Sequence, residues 1–271
     1  MTMQREAAYE STVAGLAADN TGRTDRRPPL VLLHGTTFDR TMWRPALEAL
    51  QEIDPDRRVL SLDLPGHGGS PDAEDYGPES LGLAVHRAVE AAGLQAPVVV
   101  GHSSSGIGAT MYATRYPTRG VVNVDQPLFV GPFIEGLKSL APRLQGPEWR
   151  EVWAMLSAAF HTEWLPPAAR HIVESTSRPS QELLLGYWQE LLDRPTAETT
   201  ALIDGATAAI RASALPYVFV AGDEPSPGYR AWLAQAIPQA RVEVYPGGGH
   251  FPHLADPARF AGVLAETARW G

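Results

Sequence analysis

Short apolar runs rich in β-branched residues recur along this chain, each bounded by turn residues and followed by a segment long enough for a helix. They are Leu30 to Leu33, Val59 to Asp63, Val98 to Val100, Val121 to Asp125, Tyr217 to Val220 and Val242 to Tyr245. Most are apolar at consecutive positions, the pattern of strands covered on both faces. Helix-length segments fall between them, at 42–51, 78–93, 104–116, 228–237 and 256–269. Strands alternating with helices imply right-handed crossovers, so the expected fold class is α/β: a mainly parallel central sheet with helices on both faces.

The rhythm breaks after Asp125. Residues 130–212 show helical patterning, several prolines and no convincing strand, and are expected to form an inserted helical lid on a core made of 1–129 and 213–271. The insertion holds Trp149, Trp153, Trp164 and Trp188, with Phe133, Phe160 and Tyr187. Such rings suit an apolar pocket wall, for which Trp153 and Trp164 are the candidates, or they pack the lid onto the core.

Composition narrows the partners. The net charge of −9 is spread along the chain and no basic run exceeds two residues, so a nucleic-acid footprint is missing and a small molecule is the expected ligand. With no cysteine, disulfides, thiolate metal sites and cysteine nucleophiles are excluded. The first 29 residues lack the basic start and apolar stretch of a secretory leader, and no apolar run reaches membrane-spanning length, so a cytoplasmic protein without membrane contact is expected. Nothing in the sequence sets an oligomeric state.

The segment Val98-Val-Val-Gly-His-Ser-Ser-Ser-Gly106 puts a serine between a buried strand and a helix start. A nucleophile on so tight a turn needs small neighbours, and Gly101 and Ser105 flank Ser103 at two residues' distance. Ser105 stands where the G-x-S-x-G pattern has its last glycine. The backbone N–H of Ser104 is one candidate donor to a developing oxyanion, and that of Thr36, in the loop after the first long strand, is the second. The competing role for Ser103 is a helix N-cap. A serine hydroxyl needs a base, and among eight histidines His250, in Tyr245-Pro-Gly-Gly-Gly-His-Phe-Pro-His253, is best placed after the last strand. His253 is its near rival, while His34 and His67 sit in turns suited to structural hydrogen bonds. No third ligand at metal spacing accompanies His250 and His253. Phe38, His102, Phe129 and Phe251 join Trp153 and Trp164 as candidate pocket residues.

Across nearly its whole length the chain resembles the α/β-hydrolase superfamily. His34-Gly35 is similar to its oxyanion loop, Asp63-Leu-Pro-Gly-His-Gly-Gly-Ser70 to the turn after its next strand, Gly101 to Gly106 to its nucleophile elbow, and Gly249-His-Phe-Pro-His253 to its histidine loop. The resemblance implies a Ser-His-acid triad and leaves two places for the acid. Many relatives carry it after the penultimate strand in a G-D-x-D pattern, where this chain has Gly222-Asp-Glu-Pro225. Others carry it after the strand following the elbow helix, where Asp125 stands. Asp125 is favoured over Asp223.

The expected activity is hydrolysis of a carboxylic ester or lactone without a cofactor. Haloalkane dehalogenases share the Asp125-type acid site, but they need an aspartate followed by a tryptophan where this chain has Ser103 and Ser104. A second reading is a cofactor-independent ring-cleaving dioxygenase, which the His102-Ser103 pair and the surroundings of Glu224 and His250 resemble, although Phe38 stands where a further histidine would be expected. A third is a binding scaffold that has lost turnover.

Overall fold

In the computed structural model, which describes residues 11–270, the central strands are buried at every position, and alternate side chains leave the sheet on opposite faces. Val31, Leu33, Leu60, Leu62, Val99, Val121 and Phe219 enter one apolar core. Leu30, Leu32, Val59, Val98, Val100, Val122 and Val218 enter the other. Runs apolar at consecutive positions are therefore two period-two patterns superposed. Residues 1–10, part of the stretch read for a leader, lie outside the described residues, as does Gly271.

The strands are β1 (Ser11–Val13), β2 (Leu16–Thr21), β3 (Leu30–Leu33), β4 (Val59–Leu62), β5 (Val98–His102), β6 (Gly120–Val124), β7 (Tyr217–Ala221) and β8 (Arg241–Val244). They form one sheet in the order β1-β2-β4-β3-β5-β6-β7-β8, parallel from β4 to β8, with β2 antiparallel to both of its neighbours. The helices are α1 (Arg44–Ile53), α2 (Pro78–Ala91), α3 (Ser104–Arg115), α4 (Gly131–Gln145), α5 (Trp149–Ala158), α6 (Pro167–Thr176), α7 (Gln181–Asp193), α8 (Thr196–Ala212), α9 (Pro227–Ala236), α10 (Pro252–Ala255) and α11 (Pro257–Glu266). Side chains of α2, α3, α8 and α9 fill the first core. Those of α1, α6 and α11 fill the second.

Three features differ from the sequence expectation. The β1–β2 hairpin was not anticipated, because Leu16-Ala-Ala-Asp-Asn-Thr has little strand propensity; pairing with β4, Ala18 against Leu62 and Thr21 against Val59, decides its conformation. Ala14 and Gly15 both take positive φ, as a two-residue hairpin turn requires. The expected last helix begins at Pro257 after a separate short α10. Proline disfavours helical geometry at the residue before it, and Asp256 accordingly leaves it, with φ −139° and ψ 79° and its side chain accepting from the Arg259 amide to cap α11.

The third concerns 130–212, which is not one layer. Helices α4, α5 and α7 share a small cluster of their own, built on Leu137, Leu144, Trp149, Val152, Leu184 and Trp188. Ile203 and Ile210 of α8 instead pack with α3 beneath the sheet, and Ala169 and Val173 of α6 pack on its other face. Among the described residues no helix is long and apolar enough to cross a membrane.

Glycines in β5 and α3 give a direct test of this packing. A Cβ at Gly101 would collide with the backbone carbonyl of Ser105, whereas one at Gly108 meets nothing within 4 Å. Gly101→Ala is expected to cost about 1–3 kcal/mol by overpacking. Gly108→Ala should gain up to about 1 kcal/mol from helix propensity. Urea denaturation of both variants checks the pair.

Candidate active site

Parallel strands β3, β5, β6, β7 and β8 all end at one edge of the sheet, and the loops leaving that edge carry the candidate residues. Between β5 and α3 the chain turns at Ser103, whose φ of 54° and ψ of −134° lie far from helix or strand. Non-glycine residues pay about 1–3 kcal/mol for such backbone, so surrounding bonds must impose it. The Ser103 amide donates to the Val124 carbonyl at 2.9 Å, and its carbonyl accepts from the Gly106 amide at 2.7 Å. Its side chain makes no capping hydrogen bond, so the N-cap role is not the one it performs. Ser105 departs from the glycine pattern for a visible reason: its hydroxyl donates to the His34 carbonyl at 2.6 Å, tying the turn to the loop after β3.

That loop beds directly against the turn. A Cβ at Gly35 would lie 2.9 Å from the Ser103 Cβ and 2.8 Å from the His102 ring, so only glycine fits. A turn closed by the Phe38 amide on the Gly35 carbonyl follows, with Thr37 at a φ of 76°. The hydroxyls of Thr36 and Ser104 are 2.8 Å apart. Two imidazoles hold the loop from below. His34 Nδ1–H donates to the Gly35 carbonyl while its Nε2 accepts from the Leu64 amide. His67 Nδ1–H donates to the Pro65 carbonyl while its Nε2 accepts from the Thr37 amide. Both rings are buried, and burial lowers their pKa values to about 4 and about 3.

His250 Nδ1 donates to Asp125 Oδ2 at 2.8 Å, which leaves the lone pair on Nε2. Asp125 is itself fixed: its other oxygen accepts from the Gly222 amide at 2.9 Å, and its own amide donates to the Val220 carbonyl at 2.7 Å. Asp125 sits just past β6 with a φ of 55°, a conformation aspartate tolerates better than most residues. The His250 backbone is held at both ends, its amide donating to the Phe160 carbonyl at 3.0 Å and its carbonyl accepting from His102 Nε2 at 2.7 Å. His250 Nε2 is buried without a hydrogen-bond partner, so the Ser103 hydroxyl is not bonded to it.

The rivals are placed elsewhere. Asp223 has only a long contact, 3.5 Å, with the Gly247 amide, and Glu224 pairs with Arg230. His253 is fully buried against Trp43, both its nitrogens lack partners, and burial drives its pKa down to about 3. His102 is also buried, with its pKa held well below the usual imidazole range by burial and by the neighbouring His250.

A cavity of about 360 Å³ opens beside the Asp125–His250 pair, lined among others by Phe129, His161, Pro225 and Tyr229. Of the rings expected at the pocket, Phe129 lines this cavity and is 57% exposed. Trp164 is 47% exposed and stacks on His161, while Trp153 packs between Phe160 and Trp188. Phe38, His102 and Phe251 are sealed in mutual contact in the core. Phe160, named in the sequence only as one of the rings suited to a pocket wall, takes a more specific place: its ring stacks on the His250 imidazole with centroids 4.6 Å apart and planes at 18°. No local pattern marks that contact, since Phe160 lies between α5 and α6, far from every motif. Among the described residues no group of three acidic or imidazole side chains is placed to hold a metal ion.

The family model described as "Alpha/beta hydrolase family" matches residues 30–263. The chain belongs to that family. A protein of Escherichia coli O26:H11 (strain 11368 / EHEC) named "Putative carbamate hydrolase RutD" is 26% identical over 249 residues, covering 88% of this chain and 90% of that protein. A thermophilic esterase from Thermogutta terrifontis superposes with a TM-score of 0.73 at 22% identity, covering 94% of this chain and 93% of the esterase. AqdC, solved for ring cleavage of the Pseudomonas quinolone signal, superposes with a TM-score of 0.71 at 19% identity, covering 95% and 98% of the two chains. Family and relatives together support a hydrolase; the fold similarity alone does not choose the bond.

The buried histidines generate a prediction. His34, His67 and His253 have folded pKa values of about 4, 3 and 3, against 6.5 when unfolded. Below pH 6.5 the unfolded chain therefore binds protons that the native state refuses, and stability falls as pH falls. Each histidine contributes a slope of up to about 1.4 kcal/mol per pH unit until its folded pKa is reached. Calorimetric melts should show Tm dropping from pH 6.5 to 5, with a shallower drop in His253→Leu. A Tm constant over that window would contradict the burial argument.

Proposed function

We propose that this protein cleaves a carboxylic ester or lactone of a small apolar molecule through an acyl-enzyme, with Ser103 as nucleophile, His250 as general base and Asp125 as the acid. The observation that carries the reading is the 2.8 Å bond from His250 Nδ1 to Asp125, made at the sheet edge where Ser103 is held in strained backbone. That bond fixes the tautomer in which Nε2 accepts a proton, the requirement for a base acting on a serine hydroxyl. Catalytic hydrogen bonds commonly tighten only in the substrate complex, which fits a Ser103 hydroxyl not yet joined to Nε2.

In the proposed cycle His250 Nε2 takes the Ser103 proton as the oxygen attacks the carbonyl. The amides of Thr36 and Ser104 hold the oxyanion, and His250, now protonated and stabilised by Asp125, returns the proton to the leaving oxygen. Water, activated by the same imidazole, then releases the acyl group. Only side chains, backbone amides and water are used. Helices α4, α5 and α7, with their separate core, would form the lid, and the cavity beside His250 would take part of the substrate. The name of the Escherichia coli relative makes carbamates a second acyl class to screen, since the same attack on a carbonyl serves both.

The similarity to AqdC keeps a second reading, in which His250 and Asp125 deprotonate an aromatic hydroxyl ahead of reaction with oxygen. Phe38, a buried ring and not an imidazole, offers that chemistry no additional proton acceptor. Oxygen uptake with hydroxyquinolones in place of ester turnover would favour it. A protein that neither turns over nor reacts with a fluorophosphonate at Ser103 would instead be a binding scaffold.

With short- and long-chain acyl esters, Ser103→Ala is expected to lower kcat at least about 10³-fold, and Asp125→Asn by about 10⁴-fold through the wrong tautomer. Asp223→Asn should retain turnover near that of the wild type. Loss of activity in Asp223→Asn with Asp125→Asn unaffected would reverse the acid assignment.

A further inference from the structure

We infer that the Thr36–Ser104 hydroxyl pair is a third donor to the oxyanion, with either residue able to supply the proton. The inference rests on the acyl-transfer reading above. The two oxygens lie 2.8 Å apart, either can be the donor, and neither hydroxyl has another hydrogen-bond partner among the described residues. Two hydroxyls carry two protons, and one bond uses one of them. Whichever way that bond runs, one O–H is left over.

Its position follows from covalent geometry. The hydroxyl oxygen of serine or threonine lies within about 4 Å of the backbone nitrogen of the same residue, whatever the rotamer. Because the two oxygens are hydrogen-bonded, the spare O–H stays near the backbone of both Thr36 and Ser104, the residues that follow Gly35 and Ser103 in the chain. The contact of Gly35 with Ser103 sets that backbone against the nucleophile. Thr36 is buried, so when Ser104 donates within the pair the Thr36 proton is left without a partner, a cost that an anionic oxygen arriving in the transition state would offset. A donor already in place needs no reorganisation as the charge develops.

The pair differs from an ordinary structural clasp in how its two halves substitute for each other. If the bond merely fastened the two loops, deleting either hydroxyl would remove it, and deleting both would do no further harm. If the pair serves as a donor, deleting one hydroxyl frees the other to donate, and only the double deletion removes the O–H. The sign of the coupling in a double-mutant cycle separates the two roles.

The experiment measures kcat and KM for ester hydrolysis, and the rate of Ser103 phosphonylation by a p-nitrophenyl phosphonate, in Thr36→Val, Ser104→Ala and the double variant. Thermal melts check that each is folded. The expected result is a kcat loss under about tenfold in each single variant and about 10²–10³-fold in the double, with KM little changed and phosphonylation falling in parallel. Thr36→Ser combined with Ser104→Ala should recover the activity of Ser104→Ala alone. A double variant no worse than either single, or losses that simply multiply, overturns the inference while leaving the hydrolytic reading intact. A wild-type protein inert to both ester and phosphonate overturns both.

Discussion

A parallel sheet delivers the carboxyl end of every strand to one edge, and this constraint governs the rest of the molecule. Ser103, Asp125 and the loop of His250 are 22 and 125 residues apart in sequence along that series, yet each leaves the sheet within a few residues of a strand end. Register does the fine positioning. Asp125 donates its amide to Val220 of β7 and accepts from Gly222 just beyond it, so the carboxylate is aimed by the same ladder that pairs β6 with β7. The Ser103 amide in turn bonds the last residue of β6. Ser103 and Asp125 are thus held by hydrogen bonds that continue the sheet, and not by side-chain packing alone.

Strain at this edge has to be offset nearby. Thr37, Ser103 and Asp125 all take positive φ without being glycine, at a cost of about 1–3 kcal/mol each. The loop that carries Thr37 is fastened by buried polar groups. Asp63 accepts from the Arg40 amide and guanidinium and from the Gly69 amide, which fixes the turn after β4 against the segment after β3. His34 and His67 add a reciprocal pair of bonds between the same two loops, each imidazole accepting an amide proton from the other's loop. Neutral imidazole is the group for this task, because it offers one donor and one acceptor on a rigid ring.

Much of this was legible in the sequence because it depends on local chemistry. Consecutive apolar runs specified a two-sided sheet, and Gly101, Ser103 and Gly106 specified a tight turn between a strand and a helix. The departure of Gly222-Asp-Glu-Pro225 from the G-D-x-D pattern pointed away from Asp223 and toward Asp125, the carboxylate that the structure pairs with His250. What stayed hidden depends on partners distant in sequence. The β2 strand exists because β4 lies beside it, and α8 belongs with α3 although its helical pattern is indistinguishable from that of its neighbours. The rings of Phe38 and Phe251 carry the composition of pocket residues, but only three-dimensional packing reveals that they are sealed beneath the site.

Phe160 shows how the intervening helices are joined to the candidate base. Its carbonyl receives the His250 amide proton, and its ring covers one face of the imidazole; on the other side the ring meets Trp153, which leads to Trp188 in the separate core of α4, α5 and α7. The adjacent His161 is left-handed, and Gly249 has no room for a side chain against the Phe160 carbonyl. Close packing of this kind leaves few intermediate arrangements, since interiors respond to displacement in discrete repackings. A shift of α5 would therefore be felt at His250 before it was felt at Ser103 or Asp125, both of which are anchored to the sheet. Of the three candidate groups, the imidazole alone takes its position both from the strand-end loops and from the segment after α5.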